Sequence, residues 1–195
     1  MTAPRRTKSP ALFFFQQFVK QPRMVGSVIP TSRAAIQTLL NTVDWRDVSC
    51  VVEYGPGTGV FTRALLSKVG PETKVVAIDL NPVFTEYLRK AVHDPRLIVV
   101  DGSAADIESI LADHGIAHAD YVISGLPFST LPRAVADAIM DATARALRPG
   151  GAFLVYQYSL FVMPMLKARF GRVDLARAWR CVPPARLFRA WRTED

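Results

Sequence analysis

The chain has 195 residues, of which 50% are hydrophobic and 21% charged, a composition typical of one globular domain and not of a disordered chain. Two cysteines and three histidines are too few for a disulfide framework or a histidine-rich metal centre, so we expect no metal site and a reducing, cytoplasmic setting. The sequence contains no run of about 20 apolar residues, the length that a membrane-spanning helix needs.

The net charge of +7 is unevenly distributed along the chain. Residues 1–43 hold six basic residues and no acidic one, and residues 161–195 hold eight basic and three acidic residues. Residues 44–160, between these two ends, are net acidic. Basic ends of this kind favour nucleic acid, an anionic membrane or simply solubility, and charge alone does not choose among them.

The N-terminal stretch predicts a basic tail and two short helices. Ser9 and Pro10 suit the first turn of a helix that ends near Pro22. Gln16 and Gln17 interrupt its apolar run early, which argues against a secretory signal. The apolar side chains of this helix are Leu12, Phe13, Phe14, Phe15, Phe18 and Val19. A second helix, capped by Thr31 or Ser32, is predicted to about residue 40.

From residue 48 onwards, short apolar runs alternate with amphipathic stretches. Strands are predicted over residues 50–52, 75–78, 97–100, 121–123 and 152–156. Helices are predicted over residues 61–69, 81–92, 107–114 and 132–147. This alternation predicts a single Rossmann-like, three-layer α/β domain with a mostly parallel sheet over residues 44–195, preceded by an N-terminal helical extension over residues 1–43.

The turn after the first predicted strand contains glycines at positions 55, 57 and 59. Glycines permit a tight turn and let a ligand lie against the main chain, and the free N–H groups of the next helix favour an anion. The dinucleotide fingerprint places its third glycine where Val60 stands, which disfavours a nicotinamide cofactor. Glu53 before the turn suits a cationic ligand, and Asp79 at the next strand end suits a ribose diol.

The Glu-x-Gly-x-Gly-x-Gly pattern that begins at Glu53 resembles the class I S-adenosylmethionine-dependent methyltransferases. The resemblance implies S-adenosylmethionine as the cofactor and S-adenosylhomocysteine as the product. Backbone N–H groups of the turn would meet the methionine carboxylate, Glu53 its ammonium, Asp79 the ribose and Leu80 the adenine. Ser103 stands where the family often has an adenine-binding Asp, and Asp101 is either a contact or a turn residue. The cofactor-binding residues implied are Glu53, Gly55, Pro56, Gly57, Thr58, Gly59, Asp79, Leu80, Asn81, Gly102, Ser103 and Ala104.

Residues 124–128, after the fourth predicted strand, resemble the N/D-L/I/P-P-Y/F segment of N-methyltransferases. Gly125 stands at the position of the leading Asn or Asp. The resemblance implies that the main-chain carbonyls of Gly125 and Leu126, with Ser124 beside them, position the target amine, and that Tyr158 and Phe128 face it. No general base stands out, so a relay through tyrosines or water is expected to remove the proton. A plain strand-to-helix turn remains the alternative.

Over nearly the whole chain the sequence is similar to bacterial phospholipid N-methyltransferases, through residues 21–33, 55–63, 124–128 and 183–186. This resemblance implies a monomeric, cytoplasmic enzyme bound peripherally to the inner membrane face. Its substrate would be phosphatidylethanolamine, methylated up to three times to phosphatidylcholine, with no nucleic acid as partner. An RNA adenine N-methyltransferase, which shares the turn and the Leu-Pro-Phe element, and a non-catalytic membrane-binding module remain alternatives.

Membrane contacts are expected at both ends of the chain. Phe14, Phe15 and Phe18 suit an anionic lipid interface, although the same side chains suit packing on the domain's own core. Residues 160–170, with basic residues at their end, are a second candidate contact. The arginines that either bind the lipid phosphate or form a solvated face are Arg177, Arg180, Arg186 and Arg189.

Overall fold

A computed structural model describes residues 33–178 and 185–194. The predicted N-terminal helix with Phe14, Phe15 and Phe18 lies outside the described residues, as do residues 26–32 and Arg180. Within the described ranges, no helix combines the length and apolar character needed to cross a membrane.

A seven-stranded sheet lies at the centre of the described part of the chain. Its strands run in the order β3-β2-β1-β4-β5-β7-β6. The first five are mutually parallel, whereas β7 is antiparallel to both of its neighbours. The strands are β1 (Cys50–Tyr54), β2 (Lys74–Asp79), β3 (Leu97–Asp101), β4 (Ala119–Ser124), β5 (Leu147–Gln157), β6 (Arg172–Ala178) and β7 (Ala185–Trp191).

Helices cover both faces of the sheet. They are α1 (Arg33–Leu40), α2 (Val60–Leu66), α3 (Pro82–Ala91), α4 (Ile107–Asp113), α5 (Arg133–Ala146) and α6 (Met163–Lys167), with a 3-10 turn over Ala104–Asp106. Apolar side chains of α1 and α2 pack on one face and those of α4, α5 and α6 on the other. Because both faces are covered, β1 and β4 are buried at every position. The predicted three-layer α/β domain with a mostly parallel sheet is confirmed.

The prediction missed the last two strands, β6 and β7. Both mix arginines with apolar residues in a broken period-two pattern, a weaker signal than the continuous apolar runs of the central strands. Pairing of β7 with β5 places Arg186 directly opposite Gln157. Strand β5 also begins five residues earlier than predicted, next to an irregularity in its pairing with β4.

The carboxyl ends of the five parallel strands meet at one edge of the sheet. Tyr54, Asp79, Asp101, Ser124 and Gln157 are the last residues of β1 to β5. Ligands of open parallel sheets bind outside this edge, so the fold gathers the predicted site residues there.

Candidate active site

The turn between β1 and α2 depends on glycine at each of three positions. The φ angles are 68° at Gly55, 52° at Gly57 and 76° at Gly59. The N–H of Gly59 donates to the Pro56 carbonyl at 2.9 Å and closes the turn. A Cβ on Gly59 would lie 2.5 Å from Leu88 Cδ1, whereas a Cβ on Gly57 would meet no atom within 4 Å among the described residues. Gly59 therefore serves packing, and Gly57 faces open space at the edge of the sheet.

Short contacts bring the predicted cofactor and acceptor segments together. The N–H of Gly55 donates to the Ile78 carbonyl at 2.9 Å, and that of Gly102 donates to the Asp79 carbonyl at 3.0 Å. A Cβ on Gly55 would lie 3.2 Å from Leu126 Cδ2. The glycine turn thus lies between the end of β2 and the loop that follows β4.

Glu53 is a buried carboxylic acid beneath the turn. Glu53 is only 3% exposed, and its Oε2 accepts a hydrogen bond from Thr62 Oγ1 at 2.6 Å. Burial raises the pKa of Glu53 to about 7, and the negative charge of Asp79 adds to this shift. A cationic group next to Glu53 would oppose both effects and favour the ionised carboxylate.

Asp79 is held by backbone N–H groups at the end of β2. Its Oδ1 accepts from the Asn81 N–H at 2.9 Å. Burial raises the pKa of Asp79, and hydrogen bonds from the backbone of Asn81, Gly57 and Leu80 oppose that rise. The carboxylate is thereby fixed next to the glycine turn, in the arrangement expected for a group that accepts hydrogen bonds from a diol.

The residues after β3 are engaged with neighbouring helices. Asp101 accepts from Thr85 and, at 2.9 Å, from the Arg89 guanidinium, so it is tied to α3. Ser103 Oγ accepts from the Ala105 N–H at 3.1 Å and caps the 3-10 turn. A serine oxygen has a second lone pair and a proton to donate, so the predicted adenine contact of Ser103 stays chemically open.

The loop after β4 is organised around the Leu126 carbonyl. This oxygen accepts from the Phe128 N–H at 2.9 Å and from Gln157 Nε2 at 2.8 Å. Ser124 Oγ accepts from the Leu126 N–H at 3.1 Å and is buried. A carbonyl has two lone pairs, and these two hydrogen bonds would compete with an amine for the Leu126 carbonyl, whose role as an acceptor stays a prediction. Gly125 is exposed, and a Cβ there would meet no described atom within 4 Å.

Phe128 does not face the site, contrary to expectation. It is 0% exposed, and its ring meets Phe153 edge to face at a centroid distance of 6.3 Å. The apolar ring lies in the core on the face of the sheet that α5 covers. Tyr158 is half-buried, and its hydroxyl shares a 2.7 Å hydrogen bond with that of Tyr156.

The C-terminal arginines differ in what they contact. Arg186 donates to the Tyr158 carbonyl beside the acceptor loop. Arg189 donates to the Thr42 carbonyl at 2.6 Å, lies 3.3 Å from Asp174, and stacks 4.7 Å from the centre of the Trp191 ring. Arg189 therefore contacts neighbouring parts of the protein itself, and its binding to a lipid phosphate stays a prediction.

Two arginines in or next to the second predicted membrane contact form ion pairs with aspartates of the protein. Arg169 pairs with Asp137 at 2.9 Å and with Asp141, which ties the end of α6 to α5. Arg172 pairs with Asp174 at 2.9 Å. Arg169 is thus largely buried in ion pairs, whereas Arg172 remains 69% exposed and shares Asp174 with Arg189.

Sequence reasoning missed Gln157 and Thr62, which bond to two predicted site residues. Gln157 closes an otherwise apolar strand segment, Ala152 to Tyr156, and a polar residue at a strand's carboxyl end is a signal that was available. Thr62 has no such signal, because its partner Glu53 is nine residues away.

The described residues fit S-adenosylmethionine. An open glycine cradle lies beside a fixed carboxylate, Asp79, and above a buried acid, Glu53, whose ionisation a cation would favour. S-adenosylmethionine carries a carboxylate, a ribose diol and two positive charges, which match these three features.

Comparison with known proteins agrees with this fit. Residues 51–151 match the family described as methyltransferase domain. The ornithine lipid N-methyltransferase of Singulisphaera acidiphila is 30% identical over 178 residues, which cover 88% of this chain and 91% of the relative. The ribosomal RNA small subunit methyltransferase A of Caulobacter vibrioides is 40% identical over 81 residues, only 29% of its length.

Solved structures share the fold at low sequence identity. The 1,6-didemethyltoxoflavin-N1-methyltransferase of Burkholderia thailandensis superposes with a TM-score of 0.68 at 16% identity, covering 99% of this chain and 93% of the other. The N-methyltransferase NodS of Bradyrhizobium japonicum, in complex with S-adenosylhomocysteine, gives 0.66 at 13% identity, covering 91% and 98%. On the family match, the full-length relative and the cofactor cradle, this chain belongs to the class I S-adenosylmethionine-dependent methyltransferases.

Proposed function

We propose that the protein transfers methyl groups to the headgroup amine of phosphatidylethanolamine and its methylated intermediates, giving phosphatidylcholine. The observation that carries the proposal is the match to a lipid N-methyltransferase over 91% of that relative's length. The ribosomal RNA methyltransferase of Caulobacter vibrioides matches over 29% of its length. Ornithine lipid is the second candidate substrate, because the full-length relative is named for it.

The cofactor is assigned to the residues at the ends of β1, β2 and β3. Glu53 would hold the ammonium, residues 55–59 the carboxylate, Asp79 the ribose, Leu80 and Asn81 one side of the adenine, and residues 102–104 its edge. When bound, S-adenosylmethionine would supply an electrophilic methyl group for the lone pair of the amine.

The protein's part is to bind a neutral amine and to aim it. A headgroup ammonium has a pKa near the lysine range of about 10, so the nucleophilic form is scarce at neutral pH. A neighbouring positive charge favours the neutral amine, and Arg186 lies beside the acceptor loop. The same guanidinium would bind the lipid's anionic group. The hydroxyl pair of Tyr156 and Tyr158 offers a route for the departing proton.

Apolar side chains at the carboxyl edge of the sheet support a lipid surface as partner. Leu160 and Phe161, just after β5, are 48% and 44% exposed, and Val83, Phe84 and Tyr87 are exposed on α3. Apolar side chains at the mouth of a site would let the enzyme reach an amine at a bilayer surface. We include in this proposal a monomer acting peripherally on the inner membrane face.

The proposed substrate is tested by transfer of labelled methyl from S-adenosylmethionine. The acceptors compared are vesicles with phosphatidylethanolamine, vesicles with ornithine lipid, and ribosomal RNA. We expect incorporation into phosphatidylethanolamine that exceeds the other two. Labelling of ornithine lipid alone would show that ornithine lipid is the substrate in place of phosphatidylethanolamine. Labelling of RNA alone would overturn the lipid proposal.

Asp79→Ala is expected to weaken S-adenosylhomocysteine binding by roughly ten- to a hundredfold, because it removes charge-assisted hydrogen bonds of about 1.5–3 kcal/mol. Titration calorimetry measures the change. The control is Asp113→Ala at the exposed end of α4, which should bind as the wild type does. Equal affinity of Asp79→Ala and the wild type would remove Asp79 from the site.

Changing both Phe14 and Phe18 to Ser is expected to reduce co-sedimentation with anionic vesicles at least about tenfold, since each phenylalanine adds interfacial apolar area. The melting temperature should stay close to that of the wild type. A lowered melting temperature with unchanged vesicle binding would instead place these side chains in the core.

A further inference from the structure

The side-chain amide of Gln157 has a hydrogen-bonded nitrogen and an oxygen without a hydrogen-bond partner among the described residues. Gln157 is 6% exposed at the end of β5, and its Nε2 donates to the Leu126 carbonyl at 2.8 Å. A carbonyl only accepts hydrogen bonds, so the amide nitrogen must face Leu126 and the orientation of the amide is fixed. Gln157 Oε1 is then a buried acceptor with no hydrogen-bond partner among the described residues.

A buried donor without a partner lies on the neighbouring strand. Arg186 is the direct cross-strand partner of Gln157, so both side chains lie on the same face of the sheet. Its Nε has no hydrogen-bond partner within the described ranges, although the guanidinium also donates to the Tyr158 carbonyl. Buried polar groups are nearly always paired, so two adjacent exceptions point to a polar ligand that offers both a donor and an acceptor.

Several acceptors on the loop after β4 are already engaged. Both lone pairs of the Leu126 carbonyl are occupied, by Phe128 and by Gln157. Ser124 Oγ accepts from the Leu126 N–H and is buried. The described hydrogen bonds leave two oxygens here for the N–H of a substrate, the main-chain carbonyl of the exposed Gly125 and Gln157 Oε1, and of these the Gln157 oxygen is buried.

The geometry points to Gln157 as the residue that orients the target amine: its Oε1 accepts an N–H of the neutral amine, and the lone pair is thereby turned away from the strand end. This inference rests on the proposed function, since it requires an amine as the methyl acceptor. It assigns the role that the family resemblance had given to the leading Asn or Asp, absent here, to a side chain on a different strand.

A direct consequence is that the need for Gln157 depends on how many methyl groups the amine already carries. A neutral primary amine has two N–H groups, a secondary amine has one, and a tertiary amine has none. Gln157 therefore assists the first two methylations and not the third. A residue that only held the loop in place would affect all three alike.

The test is Gln157→Met, which keeps the length of the side chain and removes both hydrogen bonds. The full-length variant is assayed with phosphatidylethanolamine and with its monomethyl and dimethyl derivatives in the same mixed micelles. We expect kcat/KM to fall about tenfold for the first two substrates, the effect of losing one hydrogen bond, and to change less than about twofold for the dimethyl lipid. Binding of S-adenosylhomocysteine, measured by calorimetry, should be unchanged.

Thr73→Val is the matched control. Thr73 is a buried side chain that donates to the Val48 carbonyl at 2.7 Å, close to where β2 begins and so away from the carboxyl edge of the sheet. The Thr73→Val substitution removes a similar buried hydrogen bond and should leave the ratio of the kcat/KM values for the three substrates as in the wild type. Should Gln157→Met not fold, Gln157→Asn withdraws the same amide by one methylene and should give the same substrate pattern.

Equal losses on all three lipids, or no loss on any, would overturn the inference while leaving the proposed function intact. A wild-type enzyme that methylates none of the three amines would overturn the proposed function and this inference with it. The two failures are therefore distinguished by the wild-type rates.

Discussion

Gly57→Val is expected to weaken S-adenosylhomocysteine binding at least about a hundredfold while leaving a folded protein. The new side chain would enter the open space beside the turn, where a Cβ meets no described atom within 4 Å, so the protein itself accommodates it. The backbone at Gly57 has a φ of 52°, and a side chain there costs about 1–2 kcal/mol. That strain should lower the melting temperature by a few degrees.

Gly59→Val is the matched comparison, and its effect should be the reverse. Here a Cβ would lie 2.5 Å from Leu88 and 3.0 Å from Arg63, at a φ of 76°, so folding is impaired directly. Calorimetry with S-adenosylhomocysteine and thermal unfolding on both variants separate the two glycines. Wild-type affinity in Gly57→Val would show that the cofactor does not lie against this turn.

Glu53→Gln is expected to remove a pH dependence from S-adenosylmethionine binding. Burial raises the pKa of Glu53 to about 7, so the carboxyl of the ligand-free protein becomes protonated as the pH falls below 7. A cationic ligand favours the ionised form, so binding below pH 7 should release a proton, and affinity should weaken by up to about tenfold per pH unit. The Gln variant should bind weakly at every pH and release no proton at this position.

The same substitution should stabilise the ligand-free protein. An acid whose pKa is raised by folding contributes stability at low pH and loses it as the pH rises through its folded value, here about 7. Glu53→Gln keeps an acceptor for Thr62 and removes the buried charge, so it should add about 1–3 kcal/mol at pH 8 and little at pH 5. Calorimetry in buffers of different ionisation enthalpy, with unfolding at the two pH values, checks both effects. Equal affinity of the two proteins at pH 8 would contradict a role for Glu53 in binding the cation.

Much of the predicted cofactor site is local in sequence, so its geometry follows from the order of the elements. The strand before residue 55, the glycines at 55, 57 and 59, and Asp79 at the end of the next strand form one strand–turn–helix–strand unit. Parallel strands bring their carboxyl ends to one edge, so the position of Asp79 beside the turn follows from the element order. The hydrogen bond from the Gly55 N–H to the Ile78 carbonyl forms because the ends of the parallel strands β1 and β2 lie side by side.

The acceptor side was decided by contacts between distant segments. The residues at positions 124–128 are compatible both with a substrate-facing loop and with core packing. Only the packing of Phe128 against Phe153 shows that the Phe128 ring lies in the core. Likewise, the hydrogen bond from Gln157, 31 residues further on, to the Leu126 carbonyl could not be read from the motif.

The sequence by itself determined the α/β class, the five parallel strands, the methyltransferase family resemblance and the glycine turn after β1, because these rest on periodicity and on backbone requirements within short segments. The tertiary structure alone decided which arginines are engaged, that β6 and the antiparallel β7 complete the sheet, and that Gln157 and Arg186 lie side by side with unpartnered polar atoms. The physical reason is that hydrogen bonds and burial are properties of neighbours in space, and strand pairing across the sheet brings together residues that no local pattern connects.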